Sequence, residues 1–440
     1  LRYAAVLHDC GPVVVPEHVP PATAARFARW LSVLSAEADL ILTVSEATAR
    51  DLARLRREAL PGLPEAPVAT LGLDAAPSPP PPAPPHPAAE ALAGTPYVLL
   101  VGTVESRKDH LFVLHAWLAL LRRRGGAVPR LVLAGRAGFG GGPALALLNR
   151  APDLAAGVTR LDDVPDATLA ALYRGALFTL YNSAHEGWGL PVTEALAAGK
   201  AVVAPAHTGL LESGAGLACH FAPGSEPEFL AIVERLLDDA AFRAEVEARI
   251  AAVFRPRPWR DLSDSILLRL PDVPPRAPVS PPRLGLTHRL AALDGYRPGP
   301  AMFWAEVLRH GPHWHPAEPW GCWTRPGPAT LRLPLDAPAG TRLRLHLALR
   351  TAGVGSVTLR LDRGARVTLD LEPTGRPVLA LEATANGPML DVVLDAPGTP
   401  LADGRVVGIG VEALMACAPG DLAARLTFLE RTRFTWVEAP

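Results

Sequence analysis

Two short stretches of this chain concentrate side chains that can do chemistry. The first is Gly102-Thr103-Val104-Glu105-Ser106-Arg107-Lys108-Asp109. Its adjacent cations, Arg107 and Lys108, stand just before a helix start, where backbone N–H groups and the helix dipole already favour an anion. A diphosphate fits that position, and so does the plainer reading of a solvated charge pair at a loop tip. Of 43 Lys and Arg residues, only Lys108 and Lys200 are lysine. A lysine kept in so arginine-biased a chain points to a need for a compact ammonium, which a planar guanidinium does not imitate. The second stretch is Glu186-Gly187-Trp188-Gly189-Leu190-Pro191-Val192-Thr193-Glu194. Gly187 and Gly189 let backbone come close to a ligand, and Pro191 suits a helix start. Glu186 is expected in the loop and Glu194 in the first helical turn. Two carboxylates so placed can accept hydrogen bonds from vicinal hydroxyls. Alternatively, Glu194 merely complements the helix dipole.

These loops need strands to carry them. Tyr97 to Val101 reads as a buried strand ending at Gly102, and Asp109 as the N-cap of a helix. Leu111, Leu114, Leu118 and Leu121 line one face of that helix, and Arg122 to Gly125 close it. Leu131 to Ala134, Ala176 to Tyr181 and Ala201 to Ala204 look like further strands with helices between them. That rhythm predicts a parallel sheet covered on both faces, with ligands beyond the carboxyl ends of its strands. Upstream, strands at Ala4 to Leu7 and Leu40 to Val44 flank a helix near Ala22 to Ser35, and a second helix starts at Ser45. This is the same style with too few strands to close its own sheet.

Length and composition bound the rest. The chain has 440 residues, 49% hydrophobic and 20% charged, with a net charge of −1. At about 150 residues per domain this suggests roughly three domains. The apolar content excludes a disordered chain, and the lack of basic excess argues against a nucleic-acid partner. No apolar run approaches the ~18 residues of a membrane span. Cys10, Cys219, Cys322 and Cys417 form no CxxC pair, so a reducing, cytoplasmic setting is expected. Eight prolines between Pro77 and Pro87, and six between Pro271 and Pro282, behave as semi-rigid spacers. The expected division is 1–76, a linker 77–90, 91–270, a linker 271–287, and 288–440.

Glu186-x7-Glu194 with Ala195-Leu196-Ala197-Ala198-Gly199-Lys200 resembles the signature of family-4 glycosyltransferases of GT-B fold. The likeness extends to the Gly102 and Arg107-Lys108 loop, Leu133-Ala134-Gly135-Arg136, Asp162 to Asp166 before a short helix ending at Tyr173, Leu7-His8-Asp9, and Leu42 to Glu46. It covers roughly residues 1–270. It implies a partial and a complete Rossmann-like domain, and retaining transfer of a sugar from a nucleotide diphosphate sugar to a carbohydrate or lipid-linked glycan acceptor. GDP-mannose is the favoured donor, ahead of UDP-sugars, with surface polysaccharide synthesis as the setting. No metal or resident cofactor is implied, and peripheral membrane association would come only through the acceptor.

The resemblance also implies roles. Arg107 and Lys108, with Gly102 and Thr103, would hold the diphosphate. Glu194 would bind the ribose, and Glu186 would contact the transferred sugar. Backbone of Gly187, Trp188, Gly189 and Leu190 would complete the cradle, and Asp163 and Val164 would lie against the base. His8 matches a histidine that faces the sugar, with a loop-end histidine bonded to a neighbour as the lesser alternative. Two departures stand out: Thr103 replaces a frequent Arg, and the family's N-terminal glycine-rich loop has no counterpart. Further strands upstream of Leu1 are the resulting expectation. The alternative is a non-catalytic nucleotide-sugar or glycan-binding protein.

Residues 288–440 lie outside that family core. Leu343, Leu345, Leu347 and Leu349, then Val357, Leu359 and Leu361, then Val367, Leu369 and Leu371 alternate with polar residues, which predicts an antiparallel sandwich closed by Gly404 to Ile409. It resembles galactose-binding-type modules. Trp314, Trp320 and Trp323, with Tyr296 nearby, serve either as sugar platforms or as core. His310, His313 and His315 crowd one loop without the second-shell acids of a zinc site.

Overall fold

A computed structural model of the chain describes residues 3–59, 68–73, 75–76, 87–90, 92, 94–270, 284–291, 300–353, 355–362 and 364–434. Most of both proline-rich linkers, and Tyr296, lie outside these residues. Contacts group the chain into two units, one of residues 1–24, 39–53 and 67–275, the other of 25–38, 54–66 and 276–440.

In the first unit, β1 (Ala4–Leu7), β2 (Leu40–Thr43) and β3 (Val68–Thr70) form a parallel sheet in the order β1-β2-β3. Helix α1 (Pro21–Glu37) links β1 to β2, and α2 (Glu46–Ala59) follows β2. Ser45 Oγ accepts from the Thr48 N–H at 3.0 Å, the N-cap bond that starts α2.

The larger sheet uses β4 (Tyr97–Val101), β5 (Arg130–Ala134), β6 (Val158–Leu161), β7 (Thr179–Leu180), β8 (Val202–Pro205) and β9 (Cys219–Phe221). All pairs are parallel, in the order β9-β8-β7-β4-β5-β6. Alternate residues feed opposite cores. Val98 and Leu100 pack with Trp117 and Phe178 on one face, while Tyr97 and Leu99 pack with Val192 and Leu196 on the other. Helix α3 (His110–Arg124) starts where expected, with Asp109 accepting from the Phe112 N–H at 3.2 Å, and Gly125 ends it. Helix α4 (Asp166–Gly175) runs past Tyr173. The run at Ala176 to Tyr181 pairs as a strand only over β7, and α5 (Leu190–Ala197) follows it.

The chain lays down β4, β5 and β6 in one direction and then returns to place β7 on the other side of β4. That reversal opens a crevice between the loops after β4 and β7, the position where open α/β sheets bind ligands.

Among the described residues, the second unit holds two larger antiparallel sheets and a two-stranded one that pairs Thr399–Pro400 with Val406–Val407. The first contains β10 (His288–Arg289), β13 (Arg342–Ala352), β16 (Val378–Thr384) and β18 (Gly410–Cys417). The second runs β11 (Arg309–His310), β12 (Ala329–Pro334), β17 (Met389–Asp395), β14 (Ser356–Leu361), β15 (Arg366–Asp370). Leu343 to Leu349 at alternate positions share one core with Leu331, Val357, Leu359 and Val392.

This region does not close at Gly404 to Ile409. Strand β18 and helix α7 (Leu422–Arg433) follow, α6 being Pro300–Val307. All eight residues of β18 are buried, because the sheet core lies on one side and Phe428 of α7 on the other. A strand covered on both faces loses its period-2 signature. Trp314 and Trp323 are buried, and Trp320 stands edge-on to Trp323 with the Arg350 guanidinium 4.0 Å from its ring centre. His313 Nδ1 lies 2.8 Å from the Pro326 carbonyl, and His315 Nε2 lies 2.9 Å from that of Val406. Among the described residues, no helix is long and apolar enough to cross a membrane.

Candidate functional site

The crevice beside β4 and β7 brings the two polar stretches together. Arg107 Nη1 lies 2.6 Å from Glu186 Oε1, and Lys108 Nζ lies 2.7 Å from the same oxygen. Arg107 also donates to the His185 carbonyl at 2.9 Å and pairs with Glu105 at 2.9 Å. A third donor, the Tyr181 hydroxyl, reaches Glu186 Oε1 at 2.9 Å, and Lys108 Nζ also touches that hydroxyl. Tyr181 sits immediately after β7, at the end of the apolar run. The sequence signal was only that a phenol closes this run.

Burial alone would push the Glu186 carboxyl up. The Lys108 ammonium and Arg107 guanidinium more than offset that and hold it below the ordinary value. Glu194 behaves oppositely: burial raises its carboxyl, even though the Tyr173 hydroxyl donates to Oε2 at 2.8 Å. Glu194 is the fifth residue of α5, so it stands in the second turn rather than the first. Its side chain is therefore fixed by a phenol rather than by the helix N-terminus. Each acid of the pair is backed by a buried tyrosine, and neither tyrosine was singled out from sequence.

The glycines between the acids have distinct reasons. A Cβ on Gly187 would lie 1.8 Å from the His8 carbonyl oxygen, so this loop meets the loop after β1 backbone to backbone. Gly189 has φ +96°, a left-handed conformation that L side chains rarely adopt, and it caps α5. The Trp188 side chain points into the core with Leu40, Leu42 and Val44, its indole N–H donating to Thr193 Oγ1 at 2.8 Å. Leu190 packs against that same cluster. Trp188 therefore keeps only its backbone to line a cradle, while the Leu190 side chain is half-buried.

The other expected residues are placed as follows. His8 is exposed at the end of β1, with its carbonyl accepting from Thr48 Oγ1 at 3.4 Å. Gly102 is in the left-handed region at φ +149°, with the aliphatic stem of Lys108 beside it. Thr103 is half-buried, its methyl facing Gly138. Asp163 is exposed with φ +49°, and Val164 is half-buried. These last two follow β6, two strands from the crevice, and no hydrogen bond joins them to the Glu186 cluster among the described contacts. Buried His185 and half-buried Asp51, 3.2 Å apart, are a further pair next to the cluster that sequence reasoning did not reach.

Comparison with known proteins bears on this same region. Residues 95–239 match the family model for Glycosyl transferases group 1. The chain is 30% identical over 198 residues to the serotype-specific mannosyltransferase WbdA of Escherichia coli, covering 43% of this chain and 24% of that protein. It thus spans about a quarter of that relative's length. It is 29% identical over 262 residues to the O-antigen chain mannosyltransferase B of Escherichia coli, 59% of this chain and 68% of that one. Among solved structures, a sucrose-phosphate synthase from Thermosynechococcus elongatus is similar with a TM-score of 0.47 at 19% identity, over 62% of this chain and 68% of that one. The stretch that matches the Glycosyl transferases group 1 model, residues 95–239, contains the crevice that holds Arg107, Lys108 and Glu186.

Proposed function

We propose that this chain is a retaining glycosyltransferase of family-4, GT-B type, moving mannose from GDP-mannose to a carbohydrate or lipid-linked glycan acceptor in the cytoplasm. The observation that carries the reading is the convergence of Arg107 and Lys108 on one oxygen of Glu186, at the switch point of a glycosyl transferases group 1 domain. Two cations aimed at one carboxylate oxygen form a ready site for the oxygens of a diphosphate, and Glu186 holds that place as their counter-ion. When the sugar–phosphate bond breaks, negative charge grows on the leaving diphosphate, and Arg107 and Lys108 are positioned to stabilise it. Charge compensation thus comes from the chain, and no divalent metal enters the reading.

Freed from its cations, Glu186 faces the transferred sugar. Glu194, with Oε2 held by Tyr173, offers its other oxygen to a ribose hydroxyl. The departing phosphate, lying on the same face as the acceptor, takes the acceptor proton, so the anomeric configuration is kept. The preference for mannose rests on the names of the two Escherichia coli relatives. Thermal shifts with GDP, UDP, ADP and their sugars test the donor: GDP and GDP-mannose should stabilise most, and stabilisation by UDP alone overturns the choice. NMR of the product tests the stereochemistry, where an inverted anomeric centre rejects the mechanism. Reversible loss of turnover with EDTA would contradict the metal-free reading.

A further inference from the structure

We propose that Tyr181 is a positioning residue of this site: its hydroxyl stays on Glu186 Oε1 and keeps that carboxylate in place while Arg107 and Lys108 turn to the donor diphosphate. The inference rests on the reading above, and three features of the cluster carry it.

First, all three donors share a single oxygen, at 2.6, 2.7 and 2.9 Å. A diphosphate that captures both cations therefore strips Glu186 of both its charged partners at once, leaving it the hydroxyls of Tyr181 and Ser183. Glu186 is only 7% exposed, and a buried carboxylate left without donors is costly. Second, the phenol cannot follow the ligand. Tyr181 is 2% exposed, its ring is packed among the β4, β5 and α5 side chains, and its N–H is bonded to the Val203 carbonyl of β8 at 2.9 Å. Arg107 and Lys108 by contrast stand on a loop with long flexible stems. Third, Lys108 Nζ lies 4.6 Å from the centre of the Tyr181 ring, so the same residue offers the ammonium a resting place between its two partners.

The charged and titratable groups around Glu186 come from every neighbouring segment. They are Glu105, Arg107 and Lys108 after β4, Tyr181 and His185 after β7, His207 after β8, and Asp9 after β1. Among them Tyr181 is the donor that stays neutral, because burial and the adjacent Glu186 push its phenol far above the ordinary range. It therefore donates at every working pH. Removing its hydroxyl leaves the liganded carboxylate easier to protonate, and a protonated Glu186 cannot do the work of the ionised one.

Tyr181→Phe removes one hydroxyl and keeps the ring. In protein carrying carboxyl-13C glutamate, with the Glu186 signal assigned by Glu186→Gln, the Glu186 titration should move to higher pH in Y181F. The move should be larger with inorganic pyrophosphate bound. With donor and acceptor, the acid limb of the kcat profile should rise by about one pH unit, a tenfold loss on that limb, while KM for the donor stays within about twofold. Superimposable Glu186 titrations in wild type and Y181F overturn the proposal. That measurement needs no turnover, so a wild-type protein that fails to transfer sugar rejects the function and leaves the test of Tyr181 intact. Melting temperatures give a second arm that holds even if Y181F is weakened. If Tyr181 acts through Glu186, adding Y181F to E186Q should lower the melting temperature no further. Additive lowering counts against it.

Discussion

At the scale of single residues, the site is a contest for two cations. Glu186 already occupies Arg107 and Lys108, so the three charges should respond differently to truncation. Lys108→Ala should weaken nucleoside diphosphate binding by about 1–3 kcal/mol, the value of a charged hydrogen bond. Lys108→Arg should not restore it, because a planar fork cannot take the point position between Tyr181 and Glu186. Titration calorimetry separates these outcomes. Glu186→Ala should abolish turnover yet tighten inorganic pyrophosphate by several-fold, since it removes the competing counter-ion. Weaker pyrophosphate binding in that variant would show that Glu186 supports the cations rather than competes with them. Glu194→Ala should cost about 1–3 kcal/mol of GDP affinity and leave pyrophosphate unchanged if, as proposed, its partner is the ribose. The charged members of this cluster were legible in the sequence, as side chains whose spacing suits a diphosphate. The phenols were not, because a tyrosine at the end of an apolar run has the same pattern whether its hydroxyl meets an acid or nothing.

At the scale of elements, the loops are held by close backbone approach as much as by side chains. Gly187→Ala would press a methyl group to 1.8 Å from the His8 carbonyl. It should destabilise the protein by about 1–3 kcal/mol, as overpacking does, and should lower donor affinity as the Glu186 loop shifts. Gly126→Ala is the control: a Cβ there meets nothing within 4 Å, so its melting temperature should stay near that of the parent. The parallel sheet was readable at β4, β5, β7 and β8 because each is a short apolar run beside helical pattern, whereas β6, β9 and the strand order were not read. What escaped reading follows from burial on two sides. Strand β18 alternates nothing, since Val411 faces one core and Met415 the other and both are apolar. The carboxyl helix α7 was missed with it. Glu194 was set one turn too early because α5 begins at Leu190, one residue before the proline that marks its start.

At the scale of the whole molecule, buried histidines set the acid limit of stability. Burial lowers His110 and His288 from 6.5 to about 4. The unfolded chain takes up protons below pH 6.5, while the folded one refuses them until about 4, so stability rises with pH across that window. It should be full above pH 6.5 and fall steadily toward pH 4, by on the order of 3 kcal/mol for each histidine. Urea midpoints measured at several pH values check this, and flat midpoints from pH 7 to 5 would refute it. The interleaving of the two units bears on how such a protein can be cut or recombined. Residues 25–37 of α1 belong with the antiparallel sheets, and Arg29 is bound there to Glu306 of α6 at 2.7 Å. The carboxyl sheets are therefore not a bead that can be clipped off the string. A chain ended after Pro275 keeps every residue of the donor crevice and loses the partners of a helix that joins the first two strands. Module exchange at the second proline-rich linker should accordingly yield protein that clumps through the bared face of α1, whereas an exchange that carries α1 along with the sheets preserves both cores.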